Sequence, residues 1–518
     1  GYLSEEVPVG NRSAIDVSLS PDVKTLTEVV VVGYGTQQRR DLTGSISSVK
    51  AEEIKALPLT SLDQAIQGRA AGVQVTQNSG APGGAVSVRI RGVGTLSGNN
   101  EPLYVIDGFP VQNNNAASDN GVGTGQSSNA LSSLNPNDIE SIEILKDASS
   151  AAIYGTRASN GVVLITTKRG REGRTKVEFD TYYGVQNRWR KLDLLNASEF
   201  ARLANEAYVN AGQPTNPFWA DESAPLAADG SGPHNTDWQD EVFQTAPIQN
   251  YNVSVSGGNA KTQAAFVGNF FKQDGILIGS AFKRYSFRSN IDHQVGKKLR
   301  FGSSISLSNT RQEGIQTDDF STGILQLAYQ LYPMEPARRE DGSPAFIPLQ
   351  FPGGGNNGQF YPRQLRNPLL IASYGGENFI RRNRLLGTLY GEYEIIKGLK
   401  WRTSVGTDLI FGFRQNWTPF LPPSIAGVGQ TLQNALYERN SQELSWLVEN
   451  TLTYSRIFAE KHNLSAVVGN SAQVNEIIQS DVNAGRFQNN EIRAISQSTA
   501  STRSVTGFST LRKLASYL

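Results

Sequence analysis

The residues that most often perform chemistry in proteins are few and widely separated in this sequence. Its 518 residues include no cysteine and only three histidines, His234, His293 and His462. A zinc site takes cysteine, histidine and carboxylate ligands at short, regular spacings, and no such spacing occurs here. No Ser-His-Asp, Cys-His or paired-carboxylate arrangement can be assembled from the scattered residues. The sequence therefore predicts no catalytic site, no metal site and no cofactor.

Charge and composition narrow the function classes further. The 48 Lys+Arg residues against 47 Asp+Glu give a net charge of +1, so the basic surface typical of a nucleic-acid-binding protein is missing. Hydrophobic residues make up only 38% of the chain, yet it has 51 Gly, 18 Tyr and 22 Phe. No apolar run approaches the ~20 residues of a membrane helix. This balance favours many strands, each with one apolar face.

Long alternating segments dominate the chain after Lys176. In "LKWRTSVGTDLIFGFR", Trp401, Val405 and Phe411 share one face, whereas Arg402 and Asp408 share the other. Similar segments lie near 177–187, 249–257, 261–272, 284–296, 299–309, 383–396, 443–458 and 463–478. Soluble sandwich strands usually have ~5–6 residues, whereas transmembrane β-strands need ~9–11, with short turns at one end of the barrel and long loops at the other. The length of these segments favours a transmembrane barrel over a soluble sandwich.

The region before these strands has a mixed α+β pattern. The stretch "TSLDQAIQGRAAG" predicts a short helix with Ser61 as its N-cap and a stop at Gly72. Strand-like words such as "AVSVRIRG", "PLYVIDG" and "NGVVLITTKRG" surround it. Further upstream, "LTEVVVVGYGTQ" contains four consecutive valines, which favour an extended strand because branching at Cβ stiffens the side chain.

The order of these sequence motifs resembles that of a known protein family. "PLYVIDGFPV" followed by "LNPNDIESIEILKDASSAAIYGTRASNGVVLITTKRG" resembles the plug domain of TonB-dependent outer-membrane transporters. Together with "EVVVVGYG" and "NTDWQDEVFQTAPIQNYNVSVSGG", these words are similar to the SusC/RagA branch found in Bacteroidetes. The resemblance implies a mainly β fold: an α+β plug domain inside a large transmembrane antiparallel β-barrel of about 22 strands.

The resemblance also implies a domain order and a location. Residues 1–21 look like the tail of a carboxypeptidase-regulatory-like β domain, 22–38 like the TonB box and linker, 39–172 like the plug, and 173–518 like the N-terminal part of the barrel. Only about nine strand segments are recognisable, and the chain opens at "GYLSEE" without Met. We therefore expect a portion of a longer protein that lies in the outer membrane of a Gram-negative bacterium.

The valine run gains a role from this resemblance. The TonB box of the family matches Glu28, Val29, Val30, Val31 and Val32. Such a segment would add to a sheet edge of the periplasmic TonB protein, with main-chain hydrogen bonds and alternate side-chain pockets providing the grip. The alternative is an ordinary core strand of the N-terminal domain.

Two arginines and two tryptophans raise narrower questions. Arg89 and Arg91 in "VRIRG" could pair with carboxylates on the inner wall of the barrel, or could lie on a solvated strand face. Trp219 could stack on a sugar or anchor its loop, and we expect Trp238 to be an anchor. No ligand-binding residue can be named from the sequence.

The function implied by the resemblance is active import, not enzymatic catalysis. The expected partners are the TonB protein, a SusD-like surface lipoprotein acting as a lid, an oligosaccharide or peptide ligand and outer-membrane lipid. An outer-membrane signal transducer and a structural or secretion-associated barrel component are the alternatives. The sequence does not distinguish a glycan from a peptide.

Overall fold

The computed structural model describes most of the chain after the N-terminal segment. The described residues are 29–32, 35–38, 46–55, 61–77, 80–84, 86–94, 100–111, 130–227, 230–314, 323–345, 367–373, 378–420, 433–458 and 462–517. The expected regulatory-domain tail and Glu28 lie outside them. We call residues 46–172 the plug and the large sheet that follows it the wall.

The plug contains one five-stranded sheet and one two-stranded sheet. The larger sheet has the order β3-β8-β9-β6-β7, formed by Ile46–Lys50, Ile139–Leu145, Val162–Thr167, Leu103–Ile106 and Phe109–Val111. The smaller sheet pairs β4 (Val73–Gln77) with β5 (Val86–Ile90). Short helices pack around them: α1 (Ala51–Lys55), α2 (Ala148–Ala151), and 3-10 turns at Leu62–Ile66, Ala130–Ser133, Pro136–Asp138 and Ala152–Ala158. Upstream, β1 (Val29–Val32) and β2 (Gly35–Gln38) form a separate hairpin.

The helix expected after Ser61 is shorter and tighter than the sequence predicts. Residues Leu62–Ile66 form a single 3-10 segment, and the Ser61 side chain makes no capping hydrogen bond. Gly68 and Gly72 both have positive φ angles, 73° and 75°, which turn the chain before a further α-helical turn can form. Ser61 thus lies at the expected N-cap position with extended backbone angles, although its hydroxyl does not cap the helix. The expected helix stop at Gly72 was wrong, because the helix ends at Ile66 and β4 begins directly after Gly72 at Val73.

The wall is a ten-stranded antiparallel meander in which every strand pairs with its sequence neighbour. Its strands are β10 (Gly173–Gln186), β11 (Ala246–Gly258), β12 (Thr262–Asp274), β13 (Ala281–Val295), β14 (Leu299–Glu313), β15 (Phe379–Ile396), β16 (Leu399–Thr418), β17 (Ala435–Phe458), β18 (His462–Gly485) and β19 (Ser504–Tyr517). Nine correspond to the alternating segments in the sequence. The tenth, β19, was not among those segments.

The wall has a turn end and a loop end. At the turn end, two to three residues join β11 to β12, β13 to β14, β15 to β16 and β17 to β18. At the loop end the connections are longer, as between β10 and β11 or between β14 and β15. Outer-membrane barrels place short turns toward the periplasm and long loops outside the cell. The resemblance described above therefore implies that the turn end faces the periplasm.

Side chains of the wall alternate between its two faces as the sequence predicts. On β16, Trp401 and Phe411 are each 49% exposed on the outer face, whereas Asp408 is 5% and Arg414 is 7% exposed on the inner face. The mainly β fold with a plug against a large antiparallel sheet is thus confirmed.

Small helices and aromatic anchors order the loop end. The helices are α3 (Ala197–Asn210), α4 (Trp238–Val242), α5 (Ile324–Gln330) and α6 (Pro368–Ala372), with 3-10 turns at Pro217–Trp219, Ile495–Gln497 and Ala500–Thr502. Trp238 is buried and donates from Nε1 to the Tyr332 carbonyl at 2.9 Å, so its expected anchoring role is confirmed. Trp219 is also buried, with its ring 6.0 Å from that of Tyr332, and is not available to stack on a sugar. None of the described helices is long and apolar enough to cross a membrane.

Candidate functional site: the plug–wall interface

The valine strand is held as one half of a hairpin. Val29 pairs with Gln38 and Val32 with Gly35 in β1–β2, and this two-stranded sheet does not join the plug sheets. A hairpin that is separate from the plug core is compatible with a tether, because β1 keeps a second edge for another strand. TonB binding by Glu28–Val32 stays a prediction.

The two predicted plug arginines lie in different surroundings. Arg89 is exposed on β5, whereas Arg91 follows the strand with φ 58° and pairs with Asp147 of the plug at 2.6 Å. Because Arg91 has left the extended conformation, the spacing of two residues no longer places its side chain on the same face as that of Arg89. The ion pair of Arg91 is thus internal to the plug, and wall contact by Arg89 stays a prediction.

Among the residues that the structure describes, Asp107 makes the most deeply buried ion pair between the plug and the wall. It occupies the two-residue turn between β6 and β7, where Asp107 and Gly108 both have positive φ angles, 47° and 87°. Asp-Gly is the preferred pair for such a turn because both positions need left-handed backbone. The carboxylate pairs with Arg288 of β13, with side-chain exposures of 2% and 3%.

Further hydrogen bonds complete the surroundings of this carboxylate. Oδ1 of Asp107 accepts from the Thr167 backbone N–H at 3.0 Å, and Oδ2 accepts from the Thr167 hydroxyl at 2.7 Å and from the Ser304 hydroxyl at 2.8 Å. Burial alone would raise the pKa of Asp107, but the charges of Arg288 and Arg169 and the Thr167 hydrogen bonds lower it below its usual 3.8. Asp107 is therefore ionised at neutral pH and joins β9, the β6–β7 turn and the wall.

Other polar contacts lie along the same side of the wall. Arg284 donates from Nη1 to the carbonyls of Ser132 and Leu134 at 3.0 and 2.8 Å. Asn290 donates to the Lys168 carbonyl at 2.6 Å, and Arg169 pairs with Asp292 at 3.1 Å. Because Arg284, Asn290 and Asp292 all belong to β13, this strand provides a continuous polar seat for the plug.

Close backbone approach at glycine positions completes the fit. A Cβ atom on Gly170, in the segment that leads into the wall, would lie 2.6 Å from the Ala264 carbonyl oxygen. A Cβ atom on Gly406 of β16 would lie 2.9 Å from Cε2 of Phe109, and nearer still to Cδ2. These glycines provide recesses in which the plug and wall touch more closely than any side chain would permit.

A cavity separates the plug from the wall at the turn end of β15–β18. Its volume is about 660 Å³, and the β6–β7 turn, with Asp107, Gly108 and Phe109, forms part of its lining. The wall contributes charged side chains from the turn ends of its strands, including Glu392, Lys400, Arg402 and Glu449. The plug therefore adheres to β13 by polar bonds and also contacts Arg384 of β15 through Ser133 and Gln473 of β18 through Arg157. Below Phe109, toward the turn end, it stands away from β15–β18.

The sequence reasoning missed Asp107 and the β13 seat. "IDG" marks a tight turn, but only the folded register shows that its carboxylate meets Arg288. A usable signal was the run of lumen-facing polar residues on β13, because buried positions hold Arg288, Asn290 and Asp292 in strict alternation. Among the described residues, no group of histidine and carboxylate side chains could hold a metal ion.

Comparisons with known proteins match both the plug and the wall. The sequence model of the TonB-dependent Receptor Plug Domain matches residues 38–162. The TonB-dependent receptor P26 of Formosa agariphila is 36% identical over 491 residues, covering 93% of this chain and 45% of that protein. The TonB-dependent receptor SusC of Bacteroides thetaiotaomicron is 34% identical over 361 residues, covering 68% of this chain and 32% of that protein.

A solved structure has a similar fold. The RagAB peptide importer in its open-open state superposes with a TM-score of 0.76 at 24% identity, covering 94% of this chain and 53% of that one. At this identity the match concerns the fold alone. The chain spans less than half the length of the two curated relatives described above.

Proposed function

Because this chain belongs to the SusC-like TonB-dependent receptors of the outer membrane, we propose that the protein containing it actively imports a nutrient. The observation that carries the proposal is the releasable nature of the plug contacts. The plug is joined to β13 by an ion pair and hydrogen bonds, and a separate hairpin lies upstream of it. A pull on that hairpin could loosen the plug without breaking a covalent bond.

The energy for import would come from the TonB protein. In our proposal, residues Glu28–Val32 add to a sheet edge of TonB, either on the free edge of β1 or after β2 has been displaced. Four valines suit this role because an extended main chain provides the hydrogen bonds and alternate side chains fill pockets. Force then passes through β3, which pairs with β8 at the edge of the plug sheet.

A surface lipoprotein of the SusD type would cover the loop end, and the ligand would be an oligosaccharide or a peptide. The RagAB protein is described as a peptide importer, and SusC as a TonB-dependent receptor. Neither name chooses the ligand of this chain. The protein would catalyse no bond chemistry, and its outer face would contact lipid through residues such as Trp401 and Phe411.

Two measurements test this function. The full-length protein, purified from native outer membranes in mild detergent, should carry a SusD-like lipoprotein with bound oligosaccharide or peptide, identified by mass spectrometry. The ligand found this way then serves as the uptake probe. The substitution Val30→Pro should abolish uptake of that probe, because proline lacks the N–H needed for strand addition.

The control and the contrary results are equally specific. Asp22→Pro places the same residue in the linker before the valine run and should leave uptake unchanged. Normal uptake in the Val30→Pro variant would refute TonB coupling through the valines. Co-purification of secretion or scaffold components without a lid or ligand would instead support a structural role.

A further inference from the structure

We propose that Asp107 is the positioning residue that seats the plug on the wall, and that unseating it opens a solute path through the turn-end cavity beside β15–β18. The solute would be hydrophilic, such as a short oligosaccharide or peptide. This inference rests on the proposed import function for its physiological meaning. Its test does not need that function to be correct.

The seating role follows from how one carboxylate joins three parts of the structure. Asp107 receives hydrogen bonds from Thr167 of β9 and from Ser304 of β14, and pairs with Arg288 of β13. Nε and Nη1 of Arg288 have no hydrogen-bond partner among the described residues. Removal of the Asp107 charge would leave this buried cation with Asp138 as the remaining carboxyl group that interacts with it. Loss of one partner of such a buried pair is far more costly than the loss of an exposed pair.

The backbone prepares this contact before the plug meets the wall. Asp107 is held in left-handed conformation by the β6–β7 turn, where its N–H donates to the Ile165 carbonyl at 3.0 Å. The carboxylate is thus fixed relative to β9, and little side-chain entropy remains to be lost when it meets Arg288. A rigid turn of this kind suits a contact that sets position.

The solute path is inferred from the different contacts that the plug makes on the two sides of the β6–β7 turn. On the β13 side, bonds from Asp107 and Arg169 close the interface. On the other side, Phe109 fills the recess at Gly406, and below it the cavity of about 660 Å³ extends to the turn at Gly398 and to Ser465 of β18. Movement of the β6–β7 turn away from β13 would withdraw Phe109 and extend this cavity toward the loop end.

The lining of the cavity indicates the kind of solute. Charged groups of both signs, Lys400, Arg402, Glu392 and Glu449, stand among Ser and Thr hydroxyls. Lys400 pairs with Glu392 at 3.0 Å, and the Arg402 guanidinium lies 4.0 Å from the centre of the Tyr390 ring. These donors and acceptors can replace the water around a hydrophilic solute. Apolar side chains, including Val105, Phe109, Leu164 and Leu447, add apolar surface to the same lining.

The experiment measures leakage in the full-length protein, in cells lacking TonB. Vancomycin is the probe solute, and Asp107→Asn is the test variant. Loss of one partner of a buried pair should shift the seated–unseated equilibrium by roughly a hundredfold or more, so vancomycin sensitivity should rise. Glu140→Gln is the matched control, because it removes a plug carboxylate whose pair with Arg171 is exposed.

A second readout separates unseating from misfolding. The chain has no cysteine, so a single Ser132→Cys reporter gives an unambiguous signal. Ser132 is buried where Arg284 meets the plug, and maleimide labelling should accelerate when Asp107→Asn is added. If Asp107→Asn does not assemble, Ser304→Ala removes one hydrogen bond to the same carboxylate and should give a smaller effect in the same direction.

The path itself is tested by blocking it. Thr388→Cys places a thiol in the cavity lining, and a bulky maleimide adduct there should suppress the leak of Asp107→Asn. An adduct at Lys297→Cys, which is exposed in the turn between β13 and β14 and outside the cavity lining, should not. Unchanged vancomycin resistance and labelling in Asp107→Asn would overturn the seating role, and a leak that persists with the Thr388 adduct would overturn the path. If Asp107→Asn leaks vancomycin as expected but the receptor shows no TonB-driven uptake, only the proposed import function is contradicted.

Discussion

The close contact between Phe109 and Gly406 provides a direct test of how tightly the plug fits the wall. Phe109 is 1% exposed and belongs to the plug core, which also includes Leu386 and Leu447 of the wall. The substitution Gly406→Ala adds one methyl group that would lie 2.9 Å from Phe109 Cε2. We expect this single atom to push the β6–β7 turn away from the wall.

The size of the expected destabilisation follows from the distance between the added methyl group and the Phe109 ring. Unbonded carbon atoms approach to about 3.5 Å, so relief of the Cε2 contact alone needs a shift of at least ~0.6 Å, the difference between 3.5 and 2.9 Å. Gly406 pairs with Thr388 on one side and Leu447 on the other, so the β16 backbone cannot easily retreat. Overpacking of this kind typically costs about 1–3 kcal/mol, equivalent to a roughly 5- to 150-fold increase in local opening.

Hydrogen exchange on the purified full-length receptor measures this opening. Amide protons of residues 103–111 should exchange faster in Gly406→Ala. Gly268→Ala is the matched control, because a Cβ on this strand glycine of the wall would meet nothing within 4 Å. Phe109→Val in the Gly406→Ala background should restore part of the lost protection, giving a coupling between the two sites. Equal protection in Gly406→Ala and Gly268→Ala would refute the argument from the recess.

Three further predictions concern other contacts of the plug and wall. Burial raises the pKa of Glu143 above its usual 4.5. This group therefore stabilises the fold fully below pH 4.5 and loses that contribution as the pH rises through the pKa of the folded state. Glu143→Gln should flatten the pH dependence of stability, measured by thermal unfolding of the receptor. Asp408→Asn breaks the buried pair with Arg384, in which Arg384 Nε lies 2.7 Å from Asp408 Oδ1. This change should lower the stability of the fold by about 3–5 kcal/mol. A smaller fraction of assembled barrel should then be seen on gels that separate heated from unheated samples. Gly170→Ala would place a methyl group 2.6 Å from the Ala264 carbonyl oxygen and should reduce assembly on the same gels, because backbone cannot rotate away as a side chain can.

The wall was the most predictable part of this molecule. A strand that separates lipid from a polar lumen must alternate at every residue, and the sequence keeps this pattern over lengths that soluble strands rarely reach. Trp401 and Asp408 therefore fall on the faces that their chemistry requires. The register with the next strand adds constraints but does not change which face each residue occupies, so a local pattern was sufficient.

The plug was less predictable because its segments are short and its turns decide their form. The stretch after Ser61 has helical spacing, yet Gly68 and Gly72 turn the chain before a second helical turn can add hydrogen bonds. Short helices gain little from their own hydrogen bonds, so local geometry and tertiary packing decide whether they are α or 3-10. The sequence located this element but could not predict its type.

The contrast between Arg91 and Asp107 explains why the plug–wall contacts were not predictable. Both residues follow short plug strands, both are charged, and both have positive φ angles, 58° and 47°. A left-handed residue ends the alternation of a strand, so counting two positions along "VRIRG" no longer gives the direction of the second side chain. Arg91 consequently turns back to Asp147 within the plug, whereas the same backbone change directs Asp107 to Arg288. Which of two such turns meets the wall depends on how the plug packs against the wall, at residues 181 positions apart in the case of Asp107 and Arg288. No local pattern carries that information.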